Sequence, residues 1–301
     1  MPSRILLLLS LLLLPAMGRA QTQRLSGFEL ERLQLEPSGL GSLVVATGRI
    51  LPAGVLRASV QAHYEQLPLA FSKQWNPSEG LGLVERRLTV HAAFAYGVLP
   101  WLQLDAQLPY IIWQTGSPLL DVAPPVDSGM GTPWVGARAA LLQMRQGAPM
   151  NVALEVSAGL PLGSAEALGR ERYAVLPRLQ LGFQGEGFQV GGEVGAYLRP
   201  RHDLRPVFHQ SNAVLDDELR LGATITSLGA TDTHTRREVS VLLSLPLTGG
   251  GTTIEVLVGV RKHTLPGLDL YVLGGPSIGN ATDSPSFRVL AGASFATGEA
   301  D

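Results

Sequence analysis

The sequence of 301 residues contains no cysteine, so no disulfide bond can stabilise the fold. Charged residues make up only 16% of the chain, and the formal net charge is -2. A charge so close to balance argues against the basic surfaces that bind nucleic acid, and we expect no nucleic-acid partner. Stability must come from backbone pairing and from burial of side chains.

Long hydrophobic runs are also missing. A membrane-spanning helix needs about 20 consecutive apolar residues. The single apolar run, residues 5–14, is shorter; it follows Arg4, is broken by Pro15 and is followed by small residues up to Ala20. This order is typical of a secretory signal peptide rather than of a membrane helix. We therefore predict a cleaved signal peptide over residues 1–20.

In place of long runs, the chain has alternation. From residue 55 onward, apolar side chains alternate one by one with polar side chains such as Arg57 and His63. About twelve segments of this kind follow one another as far as residue 295. Side chains alternate between the two faces of a strand, so each segment has one apolar and one polar face. The sequence predicts an all-β protein.

A soluble β-sandwich and a membrane β-barrel both fit this alternation. The apolar face carries mostly small or branched aliphatic residues, with tyrosine and phenylalanine near strand ends, which suits lipid. The polar face is rich in glycine, serine, glutamine and charges of both signs, as a barrel lumen would be. Together with the export signal, this predicts a transmembrane antiparallel up-and-down β-barrel of about 12 strands over residues 55–295, located in the outer membrane.

The lengths of the connections agree with a barrel. They alternate between short and long through the first eight predicted strands, and the alternation blurs later. Outer-membrane barrels have short periplasmic turns and long outer loops. Residues 21–54 are expected to form an N-terminal periplasmic or plug segment, because their leucines need a place to bury, and residues 296–301 a C-terminal tail. The expected partners are outer-membrane lipid, lipopolysaccharide and the barrel-assembly machinery.

Ionisable residues on the polar face are expected to line the lumen. Arg261 is expected to pair loosely with Asp269 across one hairpin. The predicted lumen-lining residues are Arg57, His63, Glu85, Arg87, His91, Asp105, Arg138, Glu155, Arg178, Glu193, Arg220, Glu255 and Arg261.

Two further ion pairs are predicted from hairpins with tight turns, because a tight turn fixes which residues of its two strands lie opposite each other. Counting back from the short turns places Arg138 opposite Glu155 in one hairpin and Arg178 opposite Glu193 in another. Neighbours across two strands lie about 5 Å apart, so both pairs should form contacts in the lumen.

The last predicted strand ends in an aromatic residue. Phe287 and Phe295 share one face with the small apolar residues between them. This pattern resembles the C-terminal signal that the barrel-assembly machinery recognises. The alternative is an ordinary lipid-facing strand.

Two motifs suggest chemistry only weakly. His63 and His91 fall on the same face, but no further ligand completes a metal set at recognisable spacing, so we interpret both as hydrogen-bonded lumen residues. Residues 275–279 match the G-x-S-x-G pattern of hydrolases, yet no helix signal follows them, so we expect a plain loop. We predict no catalytic residue, no metal and no cofactor.

Three stretches resemble known families. Residues 96–110 (YGVLPWLQLDAQLPY) and 158–163 (AGLPLG) are similar to outer-membrane barrels of the phenol-degradation (MetA-pathway) transporter-like group. Residues 43–54 (LVVATGRILPAG), followed by HYE at 63–65, resemble the N-terminal barrel of myxobacterial OmpA-family proteins, some of which act in outer-membrane exchange between cells. Those proteins continue into acidic repeats and a peptidoglycan-binding domain. The sequence contains neither, so cell-wall anchoring is not carried over.

Two functions follow as expectations. The first is a passive channel or transporter for small molecules, with hydrophobic compounds as candidates. The alternative is a structural or cell-contact protein with a closed lumen, whose partner would be another outer-membrane or cell-surface protein. An enzyme is not expected.

Overall fold

The computed structural model describes residues 24–70, 82–119, 121–228 and 235–298. The predicted signal peptide lies outside the described residues, as does the end of the predicted tail. Among the described residues, no helix is long and apolar enough to cross a membrane. The regular secondary structure of the described residues is almost entirely β-strand.

Twelve long strands form one closed antiparallel barrel. Each strand pairs with the next along the chain, and the first pairs with the last. This confirms the predicted up-and-down barrel of about 12 strands. The strands are β1 (Leu56–Ala70), β2 (Gly82–Leu99), β3 (Leu102–Thr115), β4 (Trp134–Leu142), β5 (Asn151–Gly159), β6 (Ala174–Gln184), β7 (Phe188–Tyr197), β8 (Glu218–Ser227), β9 (Thr235–Pro246), β10 (Thr253–Leu265), β11 (Leu268–Gly279) and β12 (Phe287–Ala296).

Short elements occupy the connections between strands. Within the described connections they comprise three two-residue strands, two 3₁₀ turns and one four-residue helix. Their bounds are Gly129–Met130, Met144–Gln146, Ala165–Ala167, His202–Asp203, Arg205–Phe208 and Val214–Leu215.

The outer face of the barrel is apolar. On β1, Val60 is exposed while Gln61 and His63 are buried, and the same alternation recurs around the barrel. Exposed apolar side chains on the strands include Leu104, Val135, Leu154, Leu181, Ile225, Val239, Val258 and Val272. A soluble sandwich would bury this face, whereas a barrel presents it to lipid.

The two ends of the barrel differ. At one end, only residues 100–101 join β2 to β3, and only residues 266–267 join β10 to β11. At the other end, residues 116–133 and 198–217 form long connections. We call these ends the short-turn end and the long-loop end; β1 begins and β12 finishes at the short-turn end.

Residues 24–54, which we call the internal segment, run through the barrel. At the long-loop end, the Leu30 N–H donates to the Leu168 carbonyl over 3.0 Å. At the short-turn end, the Gly54 N–H donates to the Gly97 carbonyl over 2.7 Å. Residues 28–51 are buried, apart from half-buried Arg49. The core of the molecule is therefore the contact between this segment and the inner face.

One motif has a different structure from the one expected. Residues 275–279 were expected to form a loop, but they are the last residues of β11. Ser277 pairs with Glu255 of β10, and its hydroxyl lies 2.6 Å from that of Ser284. The prediction of a loop is wrong because strand pairing continues through the Gly-Pro pair, at an end of the sheet where sequence signals for boundaries are weak.

Candidate functional site

The predicted lumen residues lie on the inner face of the strands. Glu85, Glu193 and Arg220 are half-buried there. The remaining ten are buried against the internal segment or against one another: Arg57, His63, Arg87, His91, Asp105, Arg138, Glu155, Arg178, Glu255 and Arg261.

Arg138 of β4 anchors the internal segment near mid-height. Its Nη1 and Nη2 atoms donate to the two carboxylate oxygens of Glu36 over 2.7 and 2.6 Å. Its Nε donates to Glu155 over 2.9 Å, and Glu155 lies directly opposite on β5, as the register predicts. The planar guanidinium suits a bidentate contact with one carboxylate and a further contact with another. This arginine therefore joins the segment to two strands.

The predicted pairing of Arg178 with Glu193 is wrong in register. Arg178 lies opposite Gly195, and Gln180 is the residue that faces Glu193. The β6–β7 turn closes on Gly185 and Phe188, one residue later than the sequence count assumed, and this moves every pair by two. Arg178 still reaches Glu193 diagonally at 3.5 Å, but its shorter contact, 2.5 Å, is to Glu155.

The looser pair, Arg261 with Asp269, is also wrong. Asp269 lies opposite His263 and accepts from Arg57 over 2.8 Å. A register shift follows His263, so the count from the turn fails. The Nη1 of Arg261 instead donates to the Gly39 carbonyl of the internal segment over 2.5 Å.

A second ionic cluster lies towards the long-loop end. Arg32 of the internal segment contacts Glu218 over 2.8 Å and Asp283 over 2.5 Å. Arg199 contacts the same two carboxylates over 2.6 and 3.4 Å. All four side chains are almost fully buried, so the segment closes this cluster from inside.

A third cluster surrounds Arg288 of β12, which the sequence interpretation missed as a site residue. Its Nη1 lies 2.8 Å from Glu31 of the internal segment, and its Nε lies 2.9 Å from Glu255 of β10. It also contacts Glu65 of β1 over 3.2 Å. Arg288 directly follows Phe287, which faces outward, and neighbours on a strand face opposite ways. The sequence pattern therefore already indicated that Arg288 faces the lumen.

An apolar contact complements the ionic ones. The leucine and valine side chains of the internal segment pack against inner-face residues of β10, β11 and β12. The cluster consists of Leu33, Leu35, Leu43, Val44 and Val45 with Leu257, Tyr271, Leu273 and Leu290. The leucines that needed a burial place in the sequence find it here.

Inner-face glycines make room for the segment where it passes closest to the wall. A Cβ on Gly182 would lie 2.1 Å from the Thr47 carbonyl oxygen, and one on Gly191 would lie 2.6 Å from Thr47 Cγ2. A larger residue at Gly182 would push the backbone of the segment away, whereas one at Gly191 would meet the methyl group of Thr47. Glycine inside a strand often marks a close backbone approach, so these two were signals for the path of the segment.

The space left beside the segment is small. Cavities between segment and wall measure about 10 Å³ beside Arg57 and about 40 Å³ beside Arg178. A larger cavity, about 560 Å³, opens at the short-turn end between Arg49, Arg145 and Glu186. A single water needs roughly 10–15 Å³, so the two inner cavities hold at most a few waters.

Comparison with known proteins supports the architecture. The sequence matches no protein-family model and no curated protein. Among solved structures, the chain is similar to the COG4313 outer membrane channel from Pseudomonas putida F1, with a TM-score of 0.55 and 16% identity over 82% of this chain and 96% of that one. The KdgM porin is similar over 79% of this chain and 98% of that one, with 11% identity and a TM-score of 0.47.

The first of these likenesses shows a shared fold, that of an outer-membrane β-barrel. At this identity it shows nothing of activity or substrate. The phenol-degradation transporter-like group and the OmpA family, which the sequence motifs resemble, are not shown by these findings and stay predictions.

Proposed function

We propose that the chain is an outer-membrane channel for small molecules whose lumen is closed by the internal segment, and that the segment must shift for a molecule to pass. The observation that supports this most is the chemistry of the inner face. Arg138, Glu155, Arg178 and their neighbours form a polar wall that would stay wetted if the segment moved.

The ion pairs between the segment and the wall support an interface that can open. Replacing buried ion pairs by apolar residues of similar volume is often neutral or stabilising, so such pairs are weak evidence for stability alone. Here ion pairs join the segment to the wall at Glu36, Arg32 and Glu31. Charges that are paired in the closed state can be hydrated in an open one, so the main cost of opening is exposure of the apolar contact with Leu257, Tyr271, Leu273 and Leu290.

The charge pattern limits the substrate class. A selective ion pore usually carries a ring of charges of one sign. The inner face carries both signs at similar height, for example Arg138 and Arg178 around Glu155. We propose weak ion selectivity and small neutral substrates, hydrophobic ones among them.

The alternative is a structural or cell-contact barrel with a permanently closed lumen. The close packing of the segment against the wall favours it, and the long-loop end would then carry the partner-binding surface. Under either function we propose an outer-membrane location, with lipid and lipopolysaccharide around the apolar belt. Phe287 and Phe295, both exposed on the outer face of β12, stay a proposed assembly signal.

A disulfide lock can separate the two functions, because the natural chain has no cysteine. A Cβ on Gly191 would lie 3.1 Å from the Thr47 Cβ, so a separation of a few tenths of an ångström brings the pair into the ~3.5–4.5 Å range of disulfides. The variant Thr47→Cys/Gly191→Cys, refolded into planar bilayers, ties the segment to β7. For a gated channel we expect intermittent small conductance in the natural chain and in the reduced variant, and none in the oxidised variant.

A matched control places a disulfide within the wall alone. A Cβ on Gly159 would lie 3.1 Å from the Ala174 Cβ on the neighbouring strand. Oxidised Gly159→Cys/Ala174→Cys should conduct like the natural chain. Silence of the natural chain at every voltage would support the closed structural barrel, and steady conductance of the oxidised Thr47→Cys/Gly191→Cys variant would contradict closure by the segment.

A further inference from the structure

Two histidines and one carboxylate meet inside the barrel. Glu31 comes from the internal segment, His63 from β1 and His91 from β2, and all three are buried. One ligand atom from each lies within 4.8 Å of the other two. The imidazole rings are 5.7 Å apart. The sequence showed only the histidine pair, because Glu31 lies on an irregular segment with no period to place it.

One atom at this meeting point lacks a partner. Arg288 donates to His63 Nε2, which places the ring proton of His63 on Nδ1, 3.0 Å from Glu31 Oε2. His91 Nε2 is buried and makes no hydrogen bond. Buried polar atoms are nearly always hydrogen-bonded, so an unpaired imidazole nitrogen beside a second imidazole and a carboxylate indicates a missing ligand.

We propose that these three residues bind a divalent transition-metal ion of the zinc class. Two imidazole nitrogens and one carboxylate oxygen form a recognised zinc donor set that leaves a fourth position for water. Zinc holds such atoms at about 2.0–2.2 Å, so two ligands of one tetrahedral ion lie roughly 3.3 Å apart. The spacing between His63 and Glu31 is already close to that value. The ligand atom of His91 lies within 4.8 Å of the other two and must approach to the same spacing.

Arg288 competes for the same atoms. Its Nη1 lies 2.6 Å from His63 Nε2 and 2.8 Å from Glu31 Oε1. A metal on His63 Nδ1 leaves the ring proton on Nε2, so the guanidinium must turn away from that nitrogen. Glu255 and Glu65 already contact the guanidinium and can hold it after the turn.

The surrounding charge accepts a cation. Glu29, Glu31, Glu65 and Glu255 face Arg87 and Arg288, which leaves two negative charges uncompensated before an ion binds. One of the free carboxylate oxygens can then accept the Nε2 proton of His63, as outer carboxylates do for metal-bound histidines.

The ion would join the segment to the wall. Only the seated segment places Glu31 beside the histidines, so binding stabilises the closed arrangement by mass action. This effect on gating rests on the proposed function, whereas the binding of the ion does not.

Calorimetry of the full mature chain, refolded in detergent and stripped with a chelator, tests the site with Zn²⁺. We expect one ion per chain, and Co²⁺ in its place should give the visible absorption of a low-coordinate nitrogen and oxygen site. Glu31→Gln and His91→Gln should each weaken binding at least ~100-fold. His202→Gln is the matched control: His202 is also paired with a buried carboxylate, Glu171, at 2.9 Å, and it should bind Zn²⁺ like the natural chain.

Folding of each variant is checked by its migration on unheated gels. If a ligand variant fails to fold, the stoichiometry and the Co²⁺ spectrum of the natural chain decide. Absence of a saturable site in the natural chain, or unchanged affinity in folded Glu31→Gln and His91→Gln, would overturn the proposal. Zn²⁺ that binds stoichiometrically without reducing conductance would preserve the site and contradict its role in gating.

Discussion

The internal segment meets two unlike sides of the lumen. The charged wall consists of Arg138, Glu155 and Arg178, with Glu36 of the segment bound to it. The apolar wall consists of Leu257, Tyr271, Leu273 and Leu290, with the segment leucines packed on it. The first contact is directional and fixes which residue sits where. The second is not directional, and its strength follows the area that it removes from water.

This difference separates stability from specificity. Burying one leucine contributes about 1.5–3 kcal/mol, wherever along the wall it packs. A buried ion pair adds little net stability, yet removing one partner costs ~3–5 kcal/mol because a charge is left alone. The apolar wall should therefore hold the segment, and the charged wall should select its register.

The largest effect is expected from breaking the charged wall at Arg138. Arg138→Met leaves Glu36 facing a wall without its arginine, and both side chains are only 1% exposed. We expect a loss of ~3–5 kcal/mol in the free energy of unfolding, measured by guanidinium titration in detergent. Adding Glu36→Gln should recover part of this loss. A loss below ~1 kcal/mol for Arg138→Met would mean that the charged wall does not fix the segment.

The apolar wall should respond less, and without dependence on salt. Leu35 is 3% exposed within its cluster. Leu35→Ala should cost ~2–4 kcal/mol through lost burial and the cavity left behind, with the same value at low and high ionic strength. The control Leu162→Ala, at a residue that is 65% exposed, should change stability by less than ~0.5 kcal/mol. If the stability lost in Leu35→Ala depended on salt, the contact at this wall would not be purely apolar, and the proposed difference between the two walls would be wrong.

A smaller effect is expected at Arg261, which binds the backbone of the segment rather than a carboxylate. Its Nη1 and Nη2 donate to the carbonyls of Gly39 and Gly41 over 2.5 and 3.3 Å. Arg261→Gln should cost ~1–2 kcal/mol, because one or two hydrogen bonds are lost and their acceptors are carbonyls rather than carboxylates. Protease accessibility of the segment gives a second measurement, and unchanged cleavage together with unchanged stability would argue against this contact.

The smallest effect is expected outside the barrel. The side chain and backbone N–H of Arg205 donate to Asp203 and hold the pKa of that carboxyl at about 2. Arg205→Ala should raise the pKa of Asp203 towards its ordinary value, as followed by NMR titration. The depressed pKa favours the folded state only above that pH range, and the pair is fully exposed, so the midpoint of unfolding at pH 7 should not move. A large shift in that midpoint would mean that this loop contributes to the stability of the whole fold.

Which side chains face the lumen and which face outward could be predicted from sequence, because side chains alternate strictly with a period of two along a strand. His63 inward and Val60 outward needed no further information. Register was harder: Arg138 with Glu155 was correct, but a turn misplaced by one residue was enough to miss the partner of Arg178. Closure of the barrel follows from pairing of β1 with β12, which local sequence does not encode.

The path of the internal segment could not be predicted. Its backbone is irregular, so no period relates Glu31 or Glu36 to the strands that they contact. The apolar residues indicated burial, and the inner-face glycines at 182 and 191 indicated close approach. Neither signal says which wall a given side chain meets, because that depends on contacts more than 100 residues apart in sequence.

The direction of the internal segment has a consequence for assembly. Residues 28–30 of the segment lie at the long-loop end, and β1 starts at the opposite end, only a few residues after buried Leu51. If the barrel closed first, the segment would have to pass through its whole height afterwards. Arg288 on β12 contacts both Glu31 of the segment and Glu65 of β1. β12, which follows the other eleven strands, thus contacts the segment and β1 together. The barrel therefore closes around the segment, and the rate of closure should depend on Arg288, which the closed barrel buries.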